Sequence, residues 1–426
     1  MADKLAILGG SKAVPDDTVQ DWPPINDTDR KLVMDSLEGN KHTYGPNCQA
    51  FEEEYAEWNG NEHAVTTNSG TAALHMCVAA CECGPGDEVI VPAYSWSSSV
   101  TCVLHHNAIP VFVDLDFDTI NIDVEKIEDA ITPRTKAIIA VHLHGLAVDM
   151  DAVMDIAERH DLRVIEDACQ AHGATYNGQK VGTFGDCAAF SFNQNKCLCS
   201  GEGGMFVTDD DDMLFRGRQL WSFGETRTPA ESRDYHAYAL GWMYRNNDLT
   251  AAFGRAQLTR LDDYLAQQKV NAARMSECLE DVPNVILPTE PEGHEHTYYN
   301  YTIRFDMDAM GHADDAADFR DKLVKAMKAE GVGTSVWQAY PLPEMTVFQA
   351  KNGYGHGCPW ECQHAEPVDY SMDQYPVAVD HASRHTGMTM PLRSPNGPDV
   401  AEITAGGIRK VMENIDQLDD VDWEDQ

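Results

Sequence analysis

In 426 residues, 70 acidic side chains stand against 31 basic ones, giving a formal net charge of −39. That sign excludes nucleic acid as a partner, because phosphates would be repelled. Hydrophobic content of 43% and apolar periodic segments along the whole length exclude an acidic disordered chain. No apolar run approaches the roughly 20 residues of a membrane span. The charge fits a hydrated acidic surface of the kind halophiles use. The start, MADKLAILGGSKAVP, has no basic segment followed by a long apolar core, so no signal peptide is expected and the cytoplasm is the expected compartment. The twelve cysteines lack a second CxxC-type pair to complete a zinc site, although His356 and His364 flank Cys358 and Cys362. Free buried thiols and no metal are expected.

The first forty residues read as an arm with Trp22-Pro23-Pro24 as its rigid element, leading into a helix at about Asp27 to Leu37. Gln49 to Gly60 is a second amphipathic helix, stopped by glycine. Strand-like runs then begin at His63, Asp87, Ala108, Lys136 and Leu162, followed by Cys187 to Phe192 and GMFVTDD. Most are separated by helical stretches such as Thr71 to Glu82 and Asp149 to His160. Near-continuous Val/Ile runs alternating with helices predict an α/β fold with a mostly parallel, roughly seven-stranded sheet sandwiched by helices. Leu249 to Asp281 reads as one or two long helices hinging into a smaller C-terminal α+β domain. That domain has an antiparallel strand at Thr297 to Phe305, a helix near Asp314 to Glu330, a loop-rich region from Tyr340 to Thr386 and a closing helix from Pro398 to Asn414. The expected divisions are 1–40 for the arm, 41–262 for the sheet domain, 263–412 for the small domain and 413–426 for a frayed acidic tail.

The chemistry centres on SFNQNKCLCSGEGG, Ser191 to Gly204. Lys196 stands between two strand-like runs, on a connection that the glycines at Gly201, Gly203 and Gly204 allow to turn tightly. A lysine held in a cleft can act as a Schiff-base nucleophile. Upstream, Asp167 ends a buried strand and points into the crevice where α/β enzymes bind ligands. Pyridoxal phosphate needs such a carboxylate, because a protonated ring nitrogen makes the better electron sink. Its phosphate needs amide donors and hydroxyls. Asn68-Ser69-Gly70-Thr71 opens a helix after a strand, where Ser69 or Thr71 can cap and Gly70 lets the backbone close on an anion. Ser191 can add a hydroxyl, and Tyr94 or Trp96, after the second strand, can stack on the ring.

The motifs NSGTAAL, VIVPAYSW, VHLHGLAVDMD, VIEDACQAHGA, VGTFGDCAAFSF and K-x-x-x-x-GEGG occur in that order. Together they resemble the DegT/StrS-type sugar aminotransferases, within the aspartate aminotransferase-like fold (fold type I) of pyridoxal phosphate enzymes. The resemblance covers about Thr43 to Asp262 and reaches weakly to Pro391-Leu392. It implies that Lys196 forms the Schiff base and Asp167 binds the ring nitrogen. It places Gln170 beside the phenolic oxygen, Trp96 on the ring, and Gly70, Thr71 and Ser191 at the phosphate. It further implies a homodimer with shared sites, reached across by Leu240 to Leu258. In that segment the family usually has Asn two residues before the arginine, and this chain has Met243; Arg245 or Asn246 would substitute there. LAILGGSKAVP, the later WPP and FSFNQNK are similar to the branch containing inosose aminotransferases and aminohydroxybenzoate synthase.

The implied activity is ping-pong transfer of an amino group from glutamate or glutamine to the ketone of a sugar or cyclitol. In the related pyridoxamine-dependent dehydratases a histidine replaces the lysine, so Lys196 argues against that alternative. A silent cofactor-binding regulator lacks any DNA-binding motif or basic face in support.

Overall fold

The computed structural model describes residues 4–226 and 235–423. Seven strands form one sheet: β1 (His63–Thr67), β2 (Glu88–Pro92), β3 (Ile109–Val113), β4 (Thr135–Val141), β5 (Arg163–Asp167), β6 (Cys187–Ser191) and β7 (Gly204–Thr208). Their spatial order is β1-β7-β6-β5-β4-β2-β3. Only β7 runs antiparallel to its neighbours, β1 and β6. Alternate side chains serve opposite faces: Val89 and Val91 join one buried cluster, and Ile90 joins the other. Both faces are therefore dry, which is why these strands read as continuous apolar runs rather than alternating ones. The expected α/β sandwich is present.

The helices of this part of the chain are α1 (Asp27–Gly39), α2 (Pro46–Asn59), α3 (Gly70–Ala80), α4 (Ser98–His105), α5 (Met150–His160), α6 (Asp211–Trp221) and α7 (Asp248–Leu258), on which α1 packs. α8 (Leu261–Leu279) follows α7 directly, so the long helical stretch is two helices, broken at Thr259-Arg260. Three antiparallel strands, β8 (Val285–Ile286), β9 (Tyr301–Phe305) and β10 (His385–Met388), make a second sheet in that order. It packs with α9 (Ala316–Ala329) and α11 (Pro398–Glu413), while α10 (Pro376–Arg384) leads into β10. The stretch read as loop-rich thus ends in a helix and a strand.

Two further expectations change. From 413 to 423 the tail is not frayed: a 3-10 helix covers Ile415–Asp420, and Leu418 and Val421 are buried in the C-terminal core beside Leu5 and Val14. Those apolar side chains interrupt the acidic run and supply the burial that a purely charged tail lacks. Cys358 and Cys362 are joined by a disulfide with Cα atoms 5.7 Å apart, whereas the other ten cysteines are free. No helix among the described residues is long and apolar enough to cross a membrane.

Candidate active site

A cavity of about 550 Å³ opens at the carboxyl ends of β5 and β6 and is closed from the other side by the C-terminal sheet. It brings together Ser69, Gly70, Thr71, Trp96, Asp167, Gln170, Ser191 and Lys196, drawn from four separate stretches of the chain. Parallel strands end on one edge, so residues at their carboxyl ends converge there.

Asp167 is the last residue of β5 and only 4% exposed. Ser99 Oγ donates to its Oδ2 at 2.6 Å, and the Cys169 amide donates to Oδ1 at 3.2 Å. A buried carboxylate survives only with such donors around it. Gln170 Oε1 accepts the His144 amide at 2.9 Å, which leaves its amide nitrogen as a donor for the cavity. Burial, with smaller contributions from the neighbouring His385, His296 and Lys196 side chains, holds His144 well below the usual imidazole range, so it stays neutral beside the site.

Ser69 is the cap of α3, its Oγ accepting from the Ala72 amide at 3.1 Å; this settles the choice between Ser69 and Thr71. Gly70 opens the helix, and a Cβ there would lie 2.7 Å from Ser191 Cβ. That contact explains why glycine is needed: the helix start presses directly against the end of β6. Lys196 lies on the connection from β6 to β7, which returns through Gly201 at φ 87°. Its Nζ stands 4.4 Å from the centre of the Tyr299 ring, which belongs to the C-terminal lobe.

Trp96 is 52% exposed at the cavity mouth, 6.1 Å from Trp337 between ring centres. Tyr94, the other aromatic candidate, turns away: it is buried, and its hydroxyl donates to Gln338 O at 3.0 Å. Arg245 and Asn246 are not among the described residues lining the cavity. Arg245 pairs through its backbone with Thr67 at the end of β1, and Asn246 Oδ1 accepts from Thr250 Oγ1 at 2.8 Å. Sequence reading missed Ser99, Tyr299 and Trp337. Ser99 had a faint signal, as one of the serines in PAYSWSSS; the other two had none.

The residues fit pyridoxal phosphate. A helix start with no Cβ in the way, the hydroxyls of Ser69, Thr71 and Ser191, an amide donor, a buried carboxylate and one amine surround a single cavity. Such a set defines an α/β enzyme of the pyridoxal phosphate class. The chain belongs to the DegT/DnrJ/EryC1/StrS aminotransferase family, whose model it matches over residues 23–379, and is a pyridoxal phosphate-dependent aminotransferase. It is 39% identical over 310 residues to the GDP-perosamine synthase of Caulobacter vibrioides, covering 70% of this chain and 81% of that one. It is 38% identical over 323 residues to the UDP-N-acetyl-3-dehydro-alpha-D-glucosamine 3-aminotransferase of Acidithiobacillus ferrooxidans, covering 76% and 82%. The crystal structure of 3-amino-5-hydroxybenzoic acid synthase superposes with a TM-score of 0.82 at 28% identity, covering 93% and 98%.

Proposed function

We propose that this enzyme moves an amino group from glutamate or glutamine to the ketone of a sugar or cyclitol, with Lys196 and Asp167 as its catalytic pair. The single observation that carries the reading is one cavity holding both residues at the N-terminus of α3. When bound, pyridoxal phosphate would supply the electron sink for the electron pair left when the donor's Cα loses its proton. Gly70 and Thr71 hold the phosphate at the positive end of the helix, with Ser69 and Ser191 adding hydroxyls. Asp167, fixed by Ser99, keeps a proton on the ring nitrogen, and Gln170 donates to the phenolic oxygen. Trp96 covers one ring face. Lys196 carries the only amine among the described residues that line the cavity, so its Nζ takes up and returns the proton.

The acceptor reading is supported by relatives named for nucleotide-linked sugars and, at 34% identity, a putative scyllo-inosose aminotransferase of Streptoalloteichus tenebrarius. A screen of nucleotide-linked ketosugars, free ketosugars and keto-cyclitols with both amino donors tests it. No amino transfer to any of the three classes overturns it.

The protein acts as a homodimer in this reading. Tyr238, Leu240 and Met243 are exposed on the segment leading to Arg245 and Asn246, and those two residues serve the neighbouring site. The 1–40, 41–262, 263–412 and 413–426 divisions, a cytoplasmic location and a halophilic surface belong to the same proposal. Ten free cysteines support the location, and the −39 charge supports the surface.

A further inference from the structure

Arg393 follows the stretch where the family motifs fade, and no motif marks it. It is nonetheless among the largest fully buried side chains, 1% exposed. Among the described residues no carboxylate lies within ion-pair distance of it. Its guanidinium instead grips three main-chain carbonyls. Nη1 donates to Lys196 O at 3.2 Å, and Nη2 donates to Asn195 O and to Tyr299 O, the latter at 3.5 Å. The group lies near two rings, 5.1 Å from the centre of Trp22 and 5.6 Å from that of Tyr299.

Burying a cation with no counter-ion is expensive, so the position is better explained by what the planar fork can hold than by charge. What it holds is the backbone of the lysine itself. The anchor is stiff at both ends. Asn271 Nδ2 donates to Leu392 O and Asn396 O, each at 2.8 Å, and Gln194 Nε2 donates to Trp22 O at 3.0 Å. Tyr299, gripped through its carbonyl, is also the residue whose ring lies against Lys196 Nζ.

We propose that Arg393 is a positioning residue: it clamps Asn195 and Lys196 to Tyr299, so the C-terminal lobe sets the direction in which Lys196 enters the cavity. The functional part rests on Lys196 being the Schiff-base lysine; the clamp itself does not. Hydrogen exchange of the cofactor-free protein therefore comes first, in Arg393→Gln and Arg393→Lys. Amides 194–198 exchange faster in Arg393→Gln, while β9 and α11 keep their protection, and Arg393→Lys recovers part of the loss. In the loaded enzyme, the visible circular dichroism weakens and kcat falls about tenfold to a hundredfold with the donor KM little changed. Should Arg393→Gln fail to fold, Arg393→Lys carries the same test with a smaller change. Unchanged exchange at 194–198, or loss spread evenly through the C-terminal lobe, overturns the clamp. A clamp that loosens without any change in the visible signal or kcat overturns the positioning role, while a borohydride-reduced adduct on another lysine overturns only the reading of Lys196.

Discussion

Ser99 Oγ donates to Asp167 Oδ2 at 2.6 Å, and Ser95 Oγ stands 2.8 Å behind it. The two hydroxyls tie the start of α4 to the end of β5 and aim the carboxylate into the cavity. A hydrogen bond to a charged group contributes about 1.5–3 kcal/mol, so Ser99→Ala should lower kcat by about tenfold to a hundredfold. Asp167→Asn, which removes the charge itself, should cost several orders of magnitude. Steady-state kinetics decide both. Parental rates in Ser99→Ala would make the hydroxyl idle, and near-normal activity in Asp167→Asn would remove Asp167 from the site.

Borohydride should trap the cofactor on Lys196, read as a pyridoxyl mass on that residue. Lys196→Ala should still hold cofactor through Asp167 and α3 but not turn over. A reduced adduct on another lysine would show the central assignment to be wrong.

Acid should unfold the protein through its buried histidines. Burial pushes His75, His172 and His296 down to about 3 and His385 to about 4, against 6.5 when unfolded. Between those values the unfolded chain binds protons that the folded one refuses, so stability is full above about pH 6.5 and falls as pH drops. The loss is about 1.4 kcal/mol per pH unit for each histidine. Denaturant unfolding at pH 7 and pH 5 in molar salt measures it, and His172→Phe should reduce the slope by up to one proton. A slope unchanged in that variant would mean His172 does not stay neutral.

Salt should stabilise the fold. Carboxylates at this density repel one another, and screening cuts the reach of that repulsion to about 3 Å at 1 M ionic strength. Melting temperature and activity are expected to rise toward molar potassium chloride. A flat or falling melting temperature would sink the halophilic reading.

Mixing two inactive chains tests the shared site. Lys196→Ala and Arg245→Ala subunits, exchanged into mixed dimers, place an intact Lys196 opposite an intact Arg245 in one of the two sites. Activity should partly return. Active Arg245→Ala, dead mixed dimers after verified exchange, or an active monomer would each count against it. Met243, where the family usually has Asn, makes Arg245 the residue to test.

Local patterning made the sheet and half of the site legible. Continuous Val/Ile runs announce strands buried on both faces, and Asp167, Ser69-Gly70-Thr71 and Lys196 each sit at a junction of strand, turn and helix within a few residues. Such junctions are set by short-range backbone chemistry, so their meaning is present in the chain itself.

Tertiary packing alone chose the partners. Ser99 reaches Asp167 from another crossover, Tyr299 and Trp337 arrive from the C-terminal lobe, and Arg393 closes on Lys196 from 197 residues away. It also turned Tyr94 inward and left Trp96 at the mouth, broke the long helix at Thr259-Arg260, and buried Leu418 in a tail that looked merely acidic. Periodicity reports which face of an element is dry. Which distant element dries it depends on how loops and lobes close, and no window of sequence contains that.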